Sequence, residues 1–469
     1  MKRMLLLLLM LVALSHQQCL TQDDTKLQTD PKARLTLYAG QQEFSLDMLR
    51  VISSMNKNTN IFFSPSSVYS ALLLAYFGAA NQTEDSLKKT LHINADQDKL
   101  STMQAYRLER FFQAMRAANG SGSYELRSPS RIYLSNNLRL RECMEQLFHD
   151  EVVQINFLGD PENSRLAINE WVEQQTKRLI KNLISEGKVT PSTSLVLVNA
   201  AYFKGLWQSQ FLAQHTRKEV FFISASEQTL VPMMKQKGTF NHRALSSCII
   251  NTRNPMSPCI INIRYSMSTV VSERLGAHVL ELPYKGKDVS MFLFLPPFVK
   301  NNAVDSLIKQ LDHESLAEIV AEDGLFARQV EIMVPKFSIE QELDLTPVGA
   351  LFGTPFRAGA LGICQVLPAL KLPLLILEQM GVGDLFTETA DLSGFTGQRG
   401  LLFDDAVHKA RIDVDEKGTE AAAATAMLFF RSSRPLNPLR FVCNHPFIYL
   451  LFDRVSQTVL FMGIYRRPN

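Results

Sequence analysis

The chain has 469 residues, of which 46% are hydrophobic and 20% charged, and a formal net charge of +3 at pH 7. That length and apolar content allow a large buried core and exclude a disordered chain. A charge so near neutrality argues for neither a nucleic-acid partner nor a membrane surface, local patches aside, so neither is expected, and no run beyond Ser15 is long and apolar enough to span a bilayer.

At the N-terminus, Met1-Lys2-Arg3-Met4 precedes the apolar run Leu5–Leu14, with small Ala13 and Ser15 at its end. A charged start, a short apolar stretch and small residues predict a secretory signal over residues 1–15, with a cut as late as residue 18 as the alternative. In a secreted chain, Asn81-Gln82-Thr83 and Asn119-Gly120-Ser121 are glycan acceptors, so Asn81 and Asn119 are candidate glycosylation sites. The six cysteines are too few and too scattered for a disulfide scaffold; Cys248 and Cys259 are near enough to pair locally.

Apolar residues at helical spacing predict helices over 43–55, Val68–Phe77 and Asp98–Ala118, the second begun by Ser64-Pro65-Ser66-Ser67, a capping serine beside a proline. A longer helix is predicted over 165–185, with Ile168, Trp171, Val172, Leu179, Ile180 and Leu183 on one side. Leu195–Phe203 is apolar on both faces, as a central strand must be, and stops at Lys204-Gly205. Further strands fit Val279–Leu282, Val289–Leu295, Gln329–Val334, Phe447–Phe452 and Val459–Ile464. Helices early and strands late indicate a single α+β domain.

Ala410–Asp415 alternates apolar and polar with period two and reads as a strand. Behind it, Glu416-Lys417-Gly418-Thr419-Glu420-Ala421-Ala422-Ala423-Ala424-Thr425-Ala426 is mostly small. Such residues form a short helix readily, but they are also what a segment needs in order to slip between two strands without overpacking them. No nucleophile elbow, zinc motif or other catalytic signature is present, so no catalytic residue, metal or cofactor is expected.

The ordered motifs Asn60-Ile61-Phe62-Phe63-Ser64-Pro65-Ser66-Ser67-Val68, Val198-Asn199-Ala200-Ala201-Tyr202-Phe203-Lys204-Gly205-Leu206-Trp207, Val334-Pro335-Lys336-Phe337, Asp391-Leu392-Ser393-Gly394, Val407-His408-Lys409-Ala410, Asn444-His445-Pro446-Phe447 and Phe461-Met462-Gly463 resemble those of the serpins. The resemblance covers a single domain over about residues 35–467. It implies an α+β fold of three β-sheets and about nine helices, with an exposed reactive-centre loop over about 416–440. It also implies a protease inhibitor rather than an enzyme: a target protease forms an acyl ester with the loop, which then inserts into the central sheet and distorts the trapped enzyme.

By the same resemblance the hinge comprises Glu416, Gly418, Thr419, Glu420, Ala421, Ala422, Ala423, Ala424 and Thr425, with Thr419, Ala421, Ala423 and Thr425 facing one side of the inserted strand. Non-inhibitory relatives tend to lose this small-residue run. Ser64, Ser67, Asn199 and His408 match the shutter, a polar cluster beneath the gap in the sheet that tunes its opening and performs no chemistry. The family's spacing places the reactive bond at Ser432-Ser433, whereas chemistry favours Arg431-Ser432, which suits the carboxylate-bearing pocket of a trypsin-like protease. Phe430 would suit a chymotrypsin-like enzyme and Ser432 a small pocket; Arg434 is handicapped by Pro435.

The expected partner is therefore a secreted serine protease met by a monomer, and the rival reading is a serpin-fold binding or carrier protein that traps nothing. Asp98–Ala118 carries Lys99, Arg107, Arg110 and Arg116, through which a glycosaminoglycan could activate the protein as in some relatives, although Glu109 interrupts them and a solvated face is the plainer reading. Two stretches, 244–270 and 348–375, have no counterpart in the family pattern. They are apolar and poor in charge, which fits translated intervening sequence better than surface loops. If they are genuine loops, inhibition itself comes into doubt.

Overall fold

The computed structural model describes residues 19–21, 30–119, 124–242, 275–298, 302–321, 326–345, 376–418 and 439–468. Most of the helices come from the first half of the described chain. They are α1 (Ala33–Met55), α2 (Pro65–Gly78), α3 (Asn81–Thr90), α4 (Lys99–Asn119), α5 (Glu142–Leu147), α6 (Pro161–Gln175), α7 (Ala303–Gln310), α8 (His313–Val320), α9 (Ile376–Gln379) and α10 (Ser393–Thr396). The expected start of α2 is realised atom by atom: Ser64 adopts an extended backbone, its side chain accepts from the Ser67 N–H, and Pro65 occupies the first turn, where no N–H is needed.

The helix expected over 165–185 ends early. α6 stops at Gln175, and Lys177, Arg178 and Asn182 take positive φ values of 50°, 63° and 50°. The cause is a polar lock across the turn. Asn169 Nδ2 donates to the Ile184 carbonyl at 2.9 Å, Asn169 Oδ1 accepts from the Ile184 N–H at 2.8 Å, and Arg165 Nη1 donates to the same carbonyl at 2.9 Å. The chain doubles back, and Ile180 and Leu183 still reach the core they were spaced to fill, with Ile184, which the spacing did not single out, beside them. Helical periodicity was right about Ile168, Val172, Ile180 and Leu183, left Trp171 and Leu179 only partly buried, and was wrong about the backbone beyond Gln175.

The central sheet runs in the order β11 (Phe337–Asp344), β12 (Asp405–Val414), β5 (Leu195–Gly205), β3 (Ser130–Ser135), β4 (Val152–Ile155), with β2 (Tyr124–Arg127) also on β5. β5 is buried on both faces along nearly its whole length, as its two-sided apolar sequence requires. A second sheet has β1 (Ile61–Phe63), β15 (Thr458–Tyr465), β14 (Phe447–Asp453), β9 (Val289–Leu295) and β8 (His278–Pro283) in order. A third contains β6 (Arg217–Phe222), β7 (Gln228–His242), β10 (Phe326–Pro335) and β13 (Leu439–Val442). Among the described residues the strand pairing between the second and third is a single residue pair, His242 with Leu280, so three sheets is the apt description.

Core side chains fill the spaces between these layers. Phe62 of β1 stacks on Phe461 of β15 at 5.4 Å between ring centres, and Phe461 in turn meets Phe203 of β5 at 6.1 Å, joining second sheet to first. One disulfide, Cys19–Cys143, pins the segment at 19–21 to α5 across 124 residues of sequence, a pairing that cysteine spacing alone did not reveal. Cys443 is buried and has no disulfide partner among the described residues. Cys248 and Cys259, near enough in sequence to pair, lie outside the described residues, as do both atypical stretches.

Candidate functional site

β5 and β12 form the seam of the central sheet that meets the start of the expected reactive-centre loop. These strands are parallel neighbours in direct register from Asp405 opposite Val196 to Ile412 opposite Phe203, so no strand lies between them. β12 is followed by Asp415-Glu416-Lys417-Gly418, the root of the loop. A new strand could enter here only after these inter-strand hydrogen bonds part.

Beneath the seam, the structure brings together all four expected shutter residues. Ser64 lies at the start of α2, Ser67 in its first turn, Asn199 on β5 and His408 opposite it on β12. The Ser64 N–H donates to His408 Nε2 at 3.0 Å, and Asn199 Oδ1 accepts from His408 Nδ1. Because a backbone N–H can only donate, Nε2 must be bare and the proton must sit on Nδ1. Burial pushes the His408 imidazolium down to a pKa of about 3, so the ring is neutral.

Asn199 Nδ2 completes the bridge, donating to the Ser67 carbonyl at 3.0 Å and to Ser130 Oγ at 2.7 Å as well as to Ser67 Oγ. Ser64 Oγ donates to the Leu460 carbonyl at 2.7 Å, tying the cluster to the second sheet. Ser130 and the Leu460 carbonyl were not foreseen: neither is distinctive in sequence, and only the fold carries them there.

A second group of residues missed in the sequence holds the loop root. Trp207 Nε1 donates to the Asp415 carbonyl at 2.9 Å, the Trp207 N–H to the Lys417 carbonyl at 3.2 Å, and the Phe211 N–H to the Glu416 carbonyl at 2.9 Å. Glu416 is largely buried; its Oε2 meets Lys336 Nζ at 2.8 Å and its Oε1 accepts from Thr216 Oγ1 at 2.8 Å. Burial works against the carboxylate, but the hydrogen bonds from Lys336, its own backbone N–H and Thr216 outweigh it and hold Glu416 below the ordinary range. Gly418 has a φ of 89°, and a Cβ there would lie 2.4 Å from both the Gly205 carbonyl oxygen and the Trp207 nitrogen. Only glycine fits.

Of the expected hinge, Glu416 and Gly418 are described; Thr419, Glu420, Ala421, Ala422, Ala423, Ala424 and Thr425 lie outside the described residues, as do Arg431, Ser432 and Ser433.

A profile of the family described as Serpin (serine protease inhibitor) matches residues 39–349 and 374–468. The chain belongs to the serpin family. Serine protease inhibitor 88Ea of Drosophila melanogaster is 37% identical to it, over 93% of this chain and 92% of that one. Human Serpin B3 is 32% identical over 92% of this chain and all of its own length, and bovine leukocyte elastase inhibitor 31% identical over 92% and 99%. Uncleaved ovalbumin superposes with a TM-score of 0.70 at 23% identity, covering 92% of this chain and 100% of that one, which speaks to the fold alone. Family and relatives together support protease inhibition as the general activity.

Elsewhere in this serpin, the sequence-derived surface sites look different in three dimensions. Asn81 is exposed, yet its Nδ2 donates to Asp391 at 2.8 Å, and Thr83 is buried with its hydroxyl accepting from the Asp391 N–H at 3.0 Å. Asn119 is the last residue of α4. On that helix Lys99 is buried against Glu84 at 2.7 Å, and Arg116 reaches Asp453 at 3.2 Å. The four cations do not form one free basic face.

Proposed function

We propose that this serpin is secreted and inhibits a trypsin-like serine protease as a single-use substrate. The observation that carries the reading is the direct parallel pairing of β5 with β12, with the root of the loop clamped at one end of the seam. The enzyme's serine attacks the carbonyl carbon of Arg431, the bond to the Ser432 nitrogen breaks, and Arg431 is left esterified to the enzyme while Ser432 becomes a new amino terminus. The freed segment can then enter the seam and exchange water for strand partners on both of its edges, adding a strand to the central sheet. Thr419, Ala421, Ala423 and Thr425 would alternate onto one face of it without overpacking.

Two features support secretion: the leader-like residues 1–15 and the Cys19–Cys143 disulfide, a bond favoured in oxidising compartments. The disulfide also favours a leader cut that leaves Cys19 in the mature chain. The test is to mix the secreted protein with trypsin and with chymotrypsin, then examine a denaturing gel and the mass of the released C-terminal peptide. A stable complex with trypsin and a peptide beginning at Ser432 is expected. Cleavage without any complex would instead mean a non-inhibitory serpin, and a peptide beginning at Ser433 would move the specificity residue to Ser432.

A further inference from the structure

The outer face of α4 carries an unexpected chemistry. Leu108, Phe111, Phe112 and Met115 are 44%, 57%, 37% and 43% exposed, although their spacing is that of a buried helical stripe. At 100° per residue they occupy an arc of about 100°. Arg107 borders one edge of that arc, its guanidinium donating to the Leu147 carbonyl, whereas Arg110 lies about 150° from the centre of the stripe, on the far side of the helix. Arg34 borders the other, its guanidinium 4.7 Å from the centre of the Phe112 ring. The sole acidic residue of the helix, Glu109, turns inward and pairs with Arg34 and Arg116, each at 3.5 Å.

We propose that this face of α4 docks on an anionic phospholipid membrane. The near-neutral net charge of the chain gives no hint of it, because the signal is local. From Arg107 to Met115 every residue except Glu109 is exposed, so the end of the helix forms a ridge rather than a groove. A ridge cannot cradle a partner helix, but a bilayer interface yields to it: the aromatic and aliphatic side chains enter the headgroup boundary while the flanking arginines meet anionic headgroups. A sulfated polysaccharide fits less well. It needs a row of cations, and with Lys99 buried, Arg116 held by Asp453 and Arg110 on the far side of the helix, Arg107 alone of the four borders the stripe, beside a surface that sugar sulfates cannot cover.

The experiment uses the full secreted chain and sedimentation with vesicles of phosphatidylcholine alone or mixed with phosphatidylserine. Wild type is expected to sediment with the mixed vesicles, weakly with phosphatidylcholine, and less at high salt. Phe111→Ser/Met115→Ser should weaken binding about tenfold or more, since both side chains lose their apolar burial in the interface. Arg107→Glu should weaken it severalfold, and unchanged thermal transitions show that both variants fold. Failure of wild type to bind the mixed vesicles overturns the proposal. So does equal binding by Phe111→Ser/Met115→Ser. Self-association or retention on immobilised heparin without vesicle binding would assign the face to a second copy or to a polysaccharide instead, and would equally overturn it.

Discussion

Acid should weaken the seam through His408, by an amount that can be worked out. The ring is neutral in the folded protein with its pKa pushed down to about 3, against about 6.5 in an unfolded chain. Between those values the unfolded state holds a proton that the folded state refuses, so stability is intact above pH 6.5 and falls as the pH drops, by about 1.4 kcal/mol per pH unit until about pH 3. From pH 7.5 to pH 5 the loss is about 2 kcal/mol. The physical reason is local. A proton on Nε2 would point at the Ser64 N–H, and no carboxylate is among the hydrogen-bond partners of the ring to receive the charge.

His278 and His445 are also held below the ordinary histidine range, both by burial first, and shift stability in the same direction. His92, whose ring nitrogens meet Asp47 and Glu43, is raised and shifts it in the opposite one. The assay is therefore a difference: urea midpoints at pH 7.5 and pH 5 for wild type and for His408→Asn. The variant will be less stable at both pH values, but its loss between them should be smaller than the wild-type loss by about 2 kcal/mol. Equal pH slopes for the two proteins would refute the reasoning.

Replacing Asn199 by Ala strands the His408 Nδ1 proton and removes donors to Ser67 and Ser130, and should cost about 2–4 kcal/mol, read as a lowered urea midpoint. Gly418→Ala forces a side chain into left-handed backbone against the Gly205 carbonyl and should lower the thermal transition, whereas Gly187→Ala, at a φ of 77° with open space around it, should cost only the backbone strain of about 1 kcal/mol. Cys143→Ser opens the tie across 124 residues and should destabilise by about 2–4 kcal/mol in non-reducing conditions, with no effect once reductant is present. Ala423→Arg should leave loop cleavage by the target intact but abolish the stable complex on a denaturing gel, because a charged side chain would have to enter the seam.

Much of the seam was readable in advance. Leu195–Phe203 is apolar on both faces because it lies mid-sheet, and Ala410–Asp415 alternates because one face of its strand meets solvent. Ser64, Ser67, Asn199 and His408 were picked out by motif, and their hydrogen bonds show them as one cluster. The loop-root clamp was not readable. Trp207, Thr216 and Lys336 are spread over some 130 positions and act on Asp415, Glu416 and Lys417 through backbone carbonyls as much as side chains, and no sequence pattern records which carbonyl an indole will find. The helix over 165–185 failed for a related reason: Asn169 and Ile184 close a turn whose energy comes from partners fifteen residues apart.

By itself, then, the sequence determined the α+β class, the family, the two-sided burial of β5 and the small-residue segment behind β12, since these depend on composition and period along the chain. Tertiary structure alone decided that β5 and β12 lie side by side in register, that His408 is neutral and protonated on Nδ1, that Cys19 meets Cys143, and that α4 turns an apolar stripe outward. The division has one physical origin. Local propensity and periodicity act between residues a few positions apart, whereas a charge state, a disulfide or an exposed face is set by what the fold brings from far along the chain, or fails to bring.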